Sequence, residues 1–68
     1  MKPGILVKLS GRSNRRYNGV RHNCREWFNV LPHHIGLYIK TIPGEIPTDI
    51  VLIEKNLIEI ATGVMKPL

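Results

Sequence analysis

Residues 48 to 62 read Thr-Asp-Ile-Val-Leu-Ile-Glu-Lys-Asn-Leu-Ile-Glu-Ile-Ala-Thr, and this stretch supports two different folds. Read as a hairpin, Ile50-Val51-Leu52-Ile53 pairs with Leu57-Ile58-Glu59-Ile60 across Glu54-Lys55-Asn56. Read as a helix, Thr48 or Asp49 caps the start, Ile50, Ile53, Leu57 and Ile60 line one face, and Gly63 ends it. Five of the eight apolar residues between Ile50 and Ala61 are β-branched. Such side chains lose rotamer freedom in a helix and pack well on a pleated surface. Lys-Asn is a mediocre hairpin turn, but the β-branched content selects the hairpin, with a helix over 48–62 in an α+β fold as the alternative.

Outward from that segment the pattern is of short strands. Residues 35–42, Ile-Gly-Leu-Tyr-Ile-Lys-Thr-Ile, are rich in β-branched and aromatic side chains and end at the turn dipeptide Pro43-Gly44. Residues 5–9, Ile-Leu-Val-Lys-Leu, form a strand entered through Pro3-Gly4 and left at Ser10-Gly11. Glu26 to Leu31 brings in Trp27, Phe28 and Val30 and stops at Pro32. Residues 10–25 are expected to be one long basic loop, with Asn18-Gly19 as its clearest turn because both residues tolerate positive φ. Residues 63–68 read as a flexible tail. The expected fold is therefore all-β: one domain over 1–68, a small, partly open barrel of four to five short antiparallel strands. Closure of that kind removes the exposed edges a flat sheet leaves.

The opening Lys-Pro-Gly-Ile-Leu-Val-Lys-Leu-Ser-Gly resembles the first strand of SH3-like barrels of the KOW kind. Tyr17-Asn18-Gly19-Val20 resembles the Asn-Gly turn that follows it there, and residues 35–42, 50–53 and 57–60 are similar to the next three strands. The resemblance covers most of the chain and implies an SH3-like barrel, although residues 10–34 exceed the linking loop of a compact KOW motif. In size and charge the chain also resembles small phage-encoded regulators.

Charge is distributed unevenly. Lys2, Lys8, Arg12, Arg15, Arg16, Arg21 and Arg25 all precede the first acid, Glu26. The first 25 residues thus carry +7 and the remaining 43 carry −2, for a net +5. An acid-free basic segment points to an anionic partner, nucleic acid or an acidic protein surface. A single cysteine, Cys24, excludes an internal disulfide and suits a reducing cytoplasm. No apolar run approaches the roughly 20 residues of a membrane span, and no signal-peptide stretch is evident. A 68-residue domain buries only about 60% of its unfolded surface, which leaves little room for a deep catalytic pocket.

The candidate contact residues are Arg12, Arg15, Arg16, Arg21 and Arg25, for paired hydrogen bonds to phosphate or carboxylate, with Tyr17 or Trp27 for stacking on a base. Trp27 and Phe28 are adjacent in an extended segment, so one is expected in the core and the other outside. His22, Cys24, His33 and His34 supply the four nitrogen or sulfur ligands that tetrahedral zinc requires, but at poor spacing, and no metal or other cofactor is expected. Cys24 has histidines as possible bases, yet no nucleophile motif surrounds it, so an enzyme is not expected. Two readings remain. One is a regulator docking on a nucleic-acid machine such as RNA polymerase. The other is a plain RNA- or DNA-binding protein. Neither needs a membrane or a small-molecule substrate.

Overall fold

Glu54 and Lys55 have φ of +49° and +68°, the left-handed pair that a two-residue type I′ hairpin turn demands. The computed structural model describes residues 2–9, 17–22, 24 and 26–68. Among them are seven strands: β1 (Leu6–Leu9), β2 (Tyr17–Arg21), β3 (Trp27–Val30), β4 (Gly36–Ile42), β5 (Thr48–Ile53), β6 (Asn56–Ala61) and β7 (Met65–Pro67). β5 and β6 pair in register from Thr48↔Ala61 to Ile53↔Asn56, so residues 48–62 form the hairpin and not the helix. Its turn is one residue shorter than the sequence suggests, because Asn56 joins β6 and its side-chain amide donates to Glu54 O at 2.9 Å.

All pairings are antiparallel, in the order β3-β2-β6-β5-β4-β1-β7. A flat sheet is a single layer about 10 Å thick, whereas the smallest extent here is 24 Å against 27 and 26 Å, so the sheet curls into a half-barrel. The all-β, barrel-like expectation holds, but the strand count of four to five is too low. The excess comes from two places. The expected loop 10–25 contains β2, which forms a hairpin with β3. The expected tail 63–68 contains β7, which pairs with β1 from Val7↔Pro67 to Leu9↔Met65 and buries Met65 completely.

The core lies inside the curl and is built from Val7, Val30, Tyr38, Val51, Ile53, Ile58, Ile60 and Met65. Each fully buried aliphatic side chain of this kind contributes about 1.5–3 kcal/mol of transfer free energy. Every strand except β2 supplies at least one side chain to this core, Tyr38 from β4 and aliphatic or Met side chains from the others. β2 supplies Gly19 instead, whose missing Cβ leaves space for Ile58 Cγ2. Asn18-Gly19 is therefore not a turn: Gly19 sits inside β2, opposite Phe28, and its φ is not positive. The real turn nearby is Leu31-Pro32-His33-His34, closed by His34 N donating to Leu31 O at 3.0 Å with proline at the second position.

Candidate functional site

Arg12, Arg15, Arg16 and Arg25 lie outside the described residues, as does the 10–16 part of the basic loop. The three remaining candidates, Tyr17, Arg21 and Trp27, are all on the β2–β3 hairpin. Register separates the two aromatics. Tyr17 opposes Val30 on the core-facing side of the sheet, while Trp27 opposes Val20 on the outer side. They do not form a common stacking platform. Trp27 is 73% exposed at the start of the edge strand β3, and Phe28 beside it packs on the core, so the expected division between these neighbours is observed.

Arg21 closes β2. Its backbone N–H donates to Glu26 O at 2.8 Å, and its guanidinium carbon lies 6.0 Å from the Phe28 ring centroid. The Glu26 carboxylate is 3.7 Å from Arg21 Nη1, both side chains being well exposed, and such a surface pair is worth about 1 kcal/mol or less. Arg21 Nε is buried and has no hydrogen-bond partner among the described residues.

The outer face carries a cross-strand row that starts at Trp27. Trp27 opposes Val20, Val20 opposes Glu59, Glu59 opposes Ile50, and Ile50 opposes Lys40. Next to it runs a row of leucines, Leu6, Leu37, Leu52 and Leu57, one from each of β1, β4, β5 and β6. Leu6 and Leu57, at its two ends, are exposed. On β1 and β7, Lys8 stands directly opposite Lys66, a like-charge pair that is unfavourable unless an anion lies near.

The four zinc candidates do not converge. His33 and His34 approach Glu54, their ligand atoms within 4.8 Å of one another, while His22, 3.7 Å from Glu59, and the exposed Cys24 line a separate pocket. His34 is buried and has both ring nitrogens engaged. Nδ1 accepts from Leu31 N–H at 2.9 Å, so Nε2 carries the proton and donates to Glu54 Oε1 at 2.7 Å. A metal at Nε2 needs the opposite tautomer, which would set an Nδ1 proton against the Leu31 N–H. These residues therefore do not fit a zinc ion; they tie the 31–34 turn to the tip of the β5–β6 hairpin.

Two groups were not legible in the sequence. Asp49, which reads there as a helix cap, is fully buried; its Oδ1 accepts from Thr41 Oγ1 at 2.6 Å and from Thr62 Oγ1 at 3.1 Å. Because the Thr41 hydroxyl gives its proton to Asp49, Tyr38 OH must donate to Thr41 Oγ1, at 2.5 Å. The chain of bonds pins β4, β5 and the turn after β6, and leaves Asp49 Oδ2 without a partner. The second group is Lys55, which the two-residue turn delivers to the end of β2, beside Arg21 and His22. No sequence signal marks either, since both depend on which strand lies next to which.

No protein-family model, curated protein or solved structure matches this chain. Among the described residues no helix is long and apolar enough to cross a membrane.

Proposed function

We propose that this protein is a non-enzymatic binding module that docks on a nucleic-acid machine such as RNA polymerase, its basic segment contacting nucleic acid or an acidic protein surface. The observation that carries this reading is Trp27. A tryptophan 73% exposed on an edge strand, one ladder position from Arg21, has no packing role in the monomer and is the type of side chain that anchors interfaces. The side of β3 that is open among the described residues can also accept a strand from a partner. In this reading no cofactor is needed and the protein works in the cytoplasm. The barrel is of the SH3-like kind: β6-β5-β4-β1-β7 forms the five-stranded unit, and the β2–β3 hairpin is an insertion after its first strand.

A second reading, direct binding to RNA or DNA, is favoured by the Lys8–Lys66 pair and by the unpartnered Arg21 Nε. Pulldown from lysate with and without nuclease separates the two. A protein partner retained after nuclease, and lost with Trp27→Ala while the variant unfolds at the parent temperature, supports docking on protein. Loss of all partners after nuclease overturns it in favour of direct binding. Retention by Trp27→Ala as strong as by the parent removes the anchor from either account.

A further inference from the structure

Arg21, His22, Cys24, Lys55, Asn56 and Leu57 line one pocket of about 200 Å³ at the tip of the β5–β6 hairpin. Two backbone features build it. His22 N donates to Leu57 O at 2.9 Å, which holds the end of β2 against the start of β6. The two-residue turn then folds Lys55 back to the same place. Sites for drug-sized ligands run to about 300–1,000 Å³, so a pocket of 200 Å³ suits a single small group.

The lining is one-sided in chemistry. It offers a guanidinium, an ammonium, an imidazole and a side-chain amide, and among the described residues no carboxylate lines it. Glu26 and Glu59 stand nearby, 3.7 Å from Arg21 and His22. Neither distance is a hydrogen bond, so neither consumes a donor. Arg21 Nε–H is buried and, among the described residues, has no acceptor. A buried donor left unmade is unfavourable, and native proteins rarely keep one without a use. Lys55 is a second anomaly at the same spot. It holds φ +68°, at the turn position where glycine is the favoured residue. A tetrahedral oxyanion in the pocket would pair with the Arg21 guanidinium and the Lys55 ammonium together.

We propose that this pocket binds a phosphate group, with the Arg21 guanidinium and the Lys55 ammonium as counter-charges and His22 and Asn56 completing the wall. The site itself stands on this geometry; only the identification of a nucleic-acid strand as the source of the phosphate rests on the function proposed above. A free phosphate ion is the other source.

The test uses inorganic phosphate and a single-stranded oligonucleotide as separate probes, with chloride keeping ionic strength constant. Two readouts are followed: backbone amide shifts of Arg21, His22, Lys55 and Leu57, and the rate at which neutral iodoacetamide alkylates Cys24, the chain's only cysteine and itself part of the lining. Phosphate is expected to shift those amides saturably and to slow alkylation. Lys55→Gly relieves the turn, so it is expected to raise the unfolding temperature while weakening phosphate binding by about tenfold or more, the loss expected for one charge-assisted contact. Arg21→Lys keeps the charge but removes the planar guanidinium fork, and is expected to weaken binding similarly. Unmoved amides with phosphate, or a folded Lys55→Gly that binds phosphate as the parent does, overturns the proposal. If the oligonucleotide binds while these amides stay still, the pocket proposal falls and the nucleic-acid reading survives. If phosphate binds and the oligonucleotide does not, the pocket stands with free phosphate as its ligand and the nucleic-acid reading falls.

Discussion

A Cβ added at Gly19 would collide with Ile58 Cγ2 and stand 3.2 Å from Glu59 O, whereas one added at Gly44 meets nothing nearer than 4.0 Å. The two glycines look alike in the sequence, each beside a turn-forming residue. Gly44 does lie in a turn region, but Gly19 is there because β2 crosses β6 too closely for a side chain. Gly19→Ala is accordingly expected to destabilise by about 1–3 kcal/mol, the usual effect of overpacking, seen as a lower urea midpoint with unchanged slope. Gly44→Ala serves as the contrast and is expected to be neutral or to stabilise by about 0.4–1 kcal/mol by restricting the unfolded chain. His34 makes the same point about candidate ligands. Its pairing with His33 suggests metal binding on paper, while the Leu31 N–H and the Glu54 carboxylate use both of its nitrogens.

Among the elements, the β5–β6 hairpin was legible because its evidence is local. Two four-residue segments, 50–53 and 57–60, carry five β-branched residues between them and flank a polar break, and no distant contact is needed to interpret them. β7 was not legible. Met65-Lys66-Pro67 is short, contains a proline and follows Gly63, so its own composition argues for a loose end. It becomes a strand because β1 offers a free edge and the core has a place for Met65. Proline is tolerated at its edge position, where β7 has no further neighbour among the described residues. Met65→Ala is expected to cost about 2–5 kcal/mol, and a chain ending at Val64 to lose its cooperative thermal transition. A truncated chain that melts at the parent temperature would show that β7 is dispensable.

At the scale of the whole molecule, the +7 of the first 25 residues is electrostatic information that needs no fold to be read. If five to seven cations contact phosphate, log affinity should fall against log salt with a slope of about −0.7 to −0.9 per contact, measurable by mobility shift at several salt concentrations. Replacing Arg12 and Arg15 by glutamine should make that slope shallower by about 1.4–1.8, and an unchanged slope would remove these arginines from the interface. What the chain decides by itself is the all-β class, the 48–62 hairpin, the cation-rich start, and the outward turn of one of the two residues Trp27 and Phe28, because each follows from local propensity, alternation or composition. Only the tertiary structure decided the seven-strand order, the burial of Asp49, the neutralisation of His34 as a ligand, and the meeting of Arg21 with Lys55. Those depend on contacts between residues far apart in the chain, which strand adjacency creates and no local pattern encodes.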